Sequence, residues 1–139
     1  MELVLSGRPK ESKIPDLISS GITHVLCILQ DSEVGSLLSA YRYHNLPYTH
    51  HPYSIKKCQK SSVDWLKVRS DLQYLSQADG NLFIHCAAGI HRTGTNAYAI
   101  LRNSGLTRDR AYTEVIKLRP ESADCIRFLD WADEYLLGE

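Results

Sequence analysis

The chain has 139 residues, 43% of them hydrophobic, and its 16 basic and 16 acidic side chains cancel to zero formal charge. That length encloses one core and is too short for two, so residues 1–139 are read as a single domain. Without a basic surplus, neither stable nucleic-acid binding nor attachment to a membrane surface is expected.

No run approaches the roughly 18 apolar residues of a membrane span, and the N-terminus lacks the charged-then-apolar pattern of a signal peptide. Cys27, Cys58, Cys86 and Cys125 are scattered without a Cys-x-x-Cys pair, which argues against a disulfide framework or a zinc knuckle. A reducing compartment is therefore expected, the cytoplasm with the nucleus open.

In chain order, Leu3 to Leu5 is a short strand ended by Gly7-Arg8-Pro9. Ile14 to Ser20 is a helix with Pro15 in its first turn and Gly21 just past its end. His24 to Leu29 is a buried strand, Glu33 to Tyr41 a helix, and Tyr43 to Tyr48 a further strand. Pro47 to Lys60 is a loop whose Lys56-Lys57-Cys58-Gln59-Lys60 run is a solvated face, and Ser61 or Ser62 caps the next helix. That helix puts Trp65, Val68, Leu72 and Leu75 on one face. Ala78 to Asn81 turns into a strand from Leu82 to His85. Three helices follow: one to Asn103 or Ser104, one from Thr107 to Pro120, and one from Ala123 to Leu137.

Strands alternating with helices predict an α/β domain with a mostly parallel sheet of four to five strands and helices on both faces. Ligands in such folds sit beyond the carboxyl ends of the strands. The loops after Leu29, after Tyr48 and after His85 then share one rim.

On that rim lies His85-Cys86-Ala87-Ala88-Gly89-Ile90-His91-Arg92-Thr93-Gly94. A strand, a tight loop and a helix start bring a thiol, a row of backbone N–H groups and a guanidinium together, a set that suits a phosphate dianion with a nucleophile beneath it. A helix N-terminus with an arginine nearby favours the nucleophilic thiolate. The amides of Ala87, Ala88, Gly89, Ile90, His91 and Arg92 can surround an anion because Gly89 lets the loop curve. Arg92 can grip two phosphate oxygens in a fork that lysine lacks. Thr93 can donate its hydroxyl to the sulfur of Cys86, and His85 is expected as a buried support for the loop.

This segment resembles the signature loop of the cysteine-dependent protein tyrosine phosphatase superfamily. The whole chain is similar to its small atypical dual-specificity members. The resemblance implies a two-step reaction without metal or cofactor: Cys86 attacks phosphorus to form a phosphocysteine, and water then hydrolyses it. Arg92 would bind the phosphate and stabilise the transferring group. Phosphoproteins would be the substrates of a monomeric enzyme.

The family usually carries an aspartic acid in a Pro-x-x-Asp loop to protonate the leaving oxygen, but no acidic residue occurs from Pro47 through Val63. Anchored on Pro47, His50 stands where the acid would be, with His51 beside it, and an imidazolium can donate a proton. Both rings can equally well serve only the loop. Asp31 and Glu33 share the rim, and Asp124 precedes the last helix, where relatives keep polar groups that order water. A good leaving group would need no strong acid. Cys27 in its strand would be core or, as in some relatives, a protective disulfide partner of Cys86.

Three functions stay open. The first is a phosphatase of phosphotyrosine with phosphoserine and phosphothreonine. The second is a phosphatase of RNA 5′-triphosphates or inositol phosphates, and the third a phosphate-binding module that has lost turnover. The small loop residues Ala87, Ala88 and Ile90, without lysines, disfavour phosphoinositides.

Overall fold

A computed structural model describes residues 1–55 and 63–139. Its sheet has four strands, all parallel, β1 (Glu2–Ser6), β2 (His24–Cys27), β3 (Tyr48–His50) and β4 (Asn81–His85), in the order β1-β4-β2-β3. The central strands β2 and β4 are buried beyond their first residue and carry the apolar runs Val25-Leu26-Cys27 and Leu82-Phe83-Ile84, as a sheet covered on both faces requires, whereas β1 at the edge alternates buried Leu3 and Leu5 with exposed Glu2 and Val4.

Helices cover both faces, as the alternation predicts. On one side α1 (Ile14–Ser19), α2 (Asp31–Val34) and α3 (Leu37–Tyr43) seal Val25, Cys27, Leu29 and Phe83 beneath Ile14, Val34, Leu37 and Tyr41. On the other, α4 (Trp65–Gln77), α5 (His91–Asn103), α6 (Arg108–Leu118) and α7 (Leu129–Tyr135) pack on Leu26, Leu82 and Ile84. Among the described residues, no helix is long and apolar enough to cross a membrane.

Three expectations change. The helix expected over 33–41 is two, α2 and α3, because Gly35 breaks it with φ +54° and ψ −132°. The strand expected over 43–48 begins only at Tyr48: Leu37 and Tyr41, one helical turn apart and fully buried, hold the chain in α3 as far as Tyr43. The last helix is a 3₁₀ segment, Pro120–Phe128, running into α7. Asp64 caps α4 by accepting from the Lys67 amide, while Ser61, Ser62, Cys58 and the lysine run lie outside the described residues. Val68, Leu72 and Leu75 are buried as their spacing predicts, with Trp65 half-buried beside them.

At the carboxyl edge, Ser6, His85, Cys27 and His50 line up across the four strands. The loop after β4 rises from the middle of this row.

Candidate active site

Close approach to β1 bends residues 86–90 into a cup. Gly89 has φ +74°, and a Cβ there would lie 2.5 Å from the Gly7 nitrogen and the Ser6 carbonyl carbon, so only glycine fits. The carbonyls of residues 86–89 are each held by a neighbour outside this stretch. Nδ1–H of His85 donates to Cys86 O at 3.3 Å, the Arg8 amide to Ala87 O at 2.9 Å, and Arg119 Nη2 to Ala88 O at 3.4 Å. Gly89 O accepts from Arg119 Nε at 2.9 Å and from the buried Ser122 hydroxyl at 2.7 Å.

A trans peptide directs the next N–H opposite to its carbonyl. With the carbonyls turned outward, the amides turn in. Among the described residues, no acceptor takes the amide hydrogens of 87–92. They crown the N-terminus of the 13-residue α5, whose dipole also favours an anion there.

Cys86 lies at the floor, 3% exposed, and the Thr93 hydroxyl is 3.1 Å from its Sγ. Arg92 is oriented by Glu33: Nη1 donates to Oε1 at 2.7 Å and Nη2 to Oε2 at 3.1 Å, while Nη1 also reaches the Tyr53 carbonyl at 3.2 Å. These bonds use three of the five guanidinium hydrogens. Among the described residues nothing accepts from Nε–H and one Nη2–H, which lie on one edge and suit two oxygens of a ligand. The Arg92 hydrogen bond holds the Glu33 carboxyl down at about 2, so Glu33 is ionised and is not a proton donor.

His85 is fully buried, its Nε2 2.8 Å from the Tyr41 hydroxyl. Since its Nδ1–H serves the Cys86 carbonyl, Nε2 accepts from Tyr41. Burial pushes the ring down to about 4 and keeps it neutral.

The other candidates separate. A cleft of about 190 Å³ beside Arg92 is lined by Ser54, Ile55, His91, Arg92 and Phe128. His50 is not among them: it ends β3, and its Nε2–H donates to the Leu29 carbonyl at 2.7 Å. His51 is 2% exposed and bonds Asp71 of α4 at 2.8 Å, and with His50 it lines a neighbouring cavity of about 260 Å³. Asp31 is exposed at the start of α2. Asp124 accepts from His91 Nε2 at 2.6 Å and from Arg127 at 3.1 Å. Cys27 and Cys86 are separate thiols. Burial pushes the Cys27 thiol up to about 12 in the core beneath α3.

The structure adds residues that the loop's own sequence does not announce: Tyr53, Arg119 and Ser122 as supports, and Glu33 as the orienter of Arg92. One signal for Glu33 was present. Gln30-x-x-Glu33 has the spacing of a capping box, and Glu33 Oε1 does accept from the Gln30 amide at 2.8 Å.

A four-stranded parallel sheet with this cup between β4 and α5 is the fold of the cysteine-dependent, atypical dual-specificity phosphatases. A mutant form of Tk-PTP superposes with a TM-score of 0.76 at 21% identity, covering 99% of this chain and 91% of that one. The kinase-associated phosphatase KAP gives 0.70 at 18%, covering 99% and 87%. The core catalytic domain of the PP-IP phosphatase SIW14 from S. cerevisiae gives 0.63 at 15%, covering 99% and 85%. No protein-family model matches the chain, and no curated protein matches it in sequence.

Proposed function

We propose that the chain is a phosphatase that hydrolyses phosphomonoesters on proteins through a phosphocysteine at Cys86. One observation carries the reading: the carbonyls at 86–89 are all bound from outside, which leaves inward amides and the free edge of Arg92 above the thiol. The Cys86 thiolate attacks phosphorus and the ester oxygen departs. Water then breaks the P–S bond, releasing phosphate and restoring the thiolate, which the Thr93 hydroxyl stabilises as it leaves. Arg92 and the amides neutralise the charge on the transferring group.

The cleft walls, Ser54, Ile55 and Phe128, bring no charge of their own, which supports phosphotyrosine together with phosphoserine and phosphothreonine as substrates. A second reading, a phosphoanhydride or inositol phosphate substrate, draws support from the lack of a carboxylate from 47 through 63, since a phosphate leaving group needs little protonation. The likeness to a PP-IP phosphatase points the same way. A pure binding module would not need the bond from Thr93 to the thiol.

Phosphate release from phosphotyrosine and phosphothreonine peptides, triphosphorylated RNA and inositol phosphates ranks these readings, with Cys86→Ser in parallel. Release from the peptides, abolished by Cys86→Ser, is expected. Release that survives Cys86→Ser overturns the mechanism, and no release from any substrate favours the binding module.

A further inference from the structure

The phosphatase reading leaves one proton without a source. An ester oxygen that departs as an alkoxide must be protonated as the P–O bond breaks, yet Glu33 is held ionised by Arg92 and residues 47–63 include no acid. Among the described side chains that line the cleft, His91 is the one whose ring nitrogens can both donate and accept a proton.

We propose that His91, oriented by Asp124, donates the proton to the leaving oxygen and then takes one from the attacking water. The inference rests on the phosphatase reading of the same cleft.

The geometry is that of a histidine held by a carboxylate. Asp124 Oδ2 lies 2.6 Å from His91 Nε2, and Arg127 shares that carboxylate at 3.1 Å. The Phe128 ring meets the imidazole edge-on at 4.9 Å and restricts its rotation. The His91 hydrogen bond, with Arg127 behind it, holds the Asp124 carboxyl below its ordinary value, so Asp124 is an acceptor and Nε2 keeps its hydrogen. The exchangeable proton is therefore the one on Nδ1, and the carboxylate fixes tautomer and ring orientation much as it does in a Ser-His-Asp triad. Among the described residues, the charged groups facing His91 are Asp124 and Arg127 from the Pro120–Phe128 segment and Arg92 from α5. Ser54 and Ile55 bring none.

In the first step the Sγ–P bond forms and the P–O bond breaks, and the Nδ1 proton moves to the departing oxygen. In the second, a water O–P bond forms and the P–S bond breaks, and the water proton returns to Nδ1. His91 ends as it began.

The test compares a phosphoserine peptide with an aryl phosphate of an electron-poor phenol, in wild type, His91→Asn, Asp124→Asn, His50→Gln and Cys86→Ser. His91→Asn should lower kcat on the phosphopeptide at least about 100-fold, within the span of general acid catalysis, and on the activated ester less than about tenfold. It should also remove the high-pH limb of the kcat/KM profile. Asp124→Asn, on a half-exposed side chain, should give the same discrimination with a smaller loss and little change in KM, and it keeps the test alive if His91→Asn does not fold. Equal losses on both esters overturn the proposal, as does a high-pH limb that persists in His91→Asn. So does the same discrimination appearing in His50→Gln instead. Turnover that survives Cys86→Ser overturns the phosphatase reading and this one with it.

Discussion

Thr93 has one hydroxyl hydrogen and two acceptors, Cys86 Sγ at 3.1 Å and the Ser6 carbonyl at 3.2 Å. With a thiol, Sγ–H can donate to Oγ1 while the hydroxyl turns to Ser6. With a thiolate, the hydroxyl turns to sulfur, and no other atom need move. Thr93→Val keeps the shape and removes the rotor. It is expected to lower kcat roughly 10- to 100-fold while KM changes little, about the worth of one hydrogen bond to a charged group, and steady-state kinetics on an aryl phosphate reads this directly. Glu33→Gln acts on the other partner. It loses the charge that fixes Arg92, so KM for phosphate esters should rise by about tenfold or more, and inorganic phosphate should inhibit correspondingly less. Cys86, Arg92 and Thr93 are legible in the sequence because they sit within one loop and the helix it starts. Glu33 and Tyr53 lie 59 and 39 positions from Arg92, and folding alone makes them its partners.

Among the elements, the cup is shaped by neighbours that press on it. Gly94 of α5 has no room for a Cβ, which would lie 2.7 Å from the Cys125 Cβ, so α5 and the Pro120–Phe128 segment meet nearly backbone to side chain. That contact carries Ser122 to the Gly89 carbonyl. Gly89→Ala should disorganise the cup, since it brings both a positive φ and a clash with β1. Loss of activity by at least 100-fold is expected, with a drop in unfolding free energy above about 1 kcal/mol by urea titration. Ser122→Ala, which removes one of two donors to that carbonyl, should lower kcat/KM only several-fold, because Arg119 remains. Periodicity located α4 and the strands β1, β2 and β4 well. It misplaced β3 because Tyr43 and Tyr48 are good strand formers in isolation, and the burial of Leu37 and Tyr41 overrode them.

For the whole molecule, three buried or paired groups set the response to acid. His85 is neutral in the folded chain with its value down at about 4, against about 6.5 when unfolded. Its full contribution to stability is therefore present above pH 6.5 and is lost as pH falls toward 4. Between pH 7 and 5 the loss amounts to about 2 kcal/mol. Burial lowers His51 as well, and it adds in the same direction. Glu33, held at about 2, contributes above its ordinary 4.5 and fails only below that. Urea midpoints should fall from pH 7 to pH 5, and His85→Gln should shrink that fall. An undiminished fall would mean that protonation of His85 is not its cause.

The sequence alone determined the layered α/β domain, because apolar period and turn residues are local properties. It also brought Cys86 and Arg92 together, because one loop holds them at fixed spacing. It could not decide which charged groups meet. Only the tertiary structure gives Arg92 its Glu33, closes the cup with Arg119 and Ser122, and sets His91 against Asp124 while withdrawing His51 to α4. Those pairings depend on how two helical layers dock on the rim of a twisted sheet, and no spacing along the chain encodes that distance.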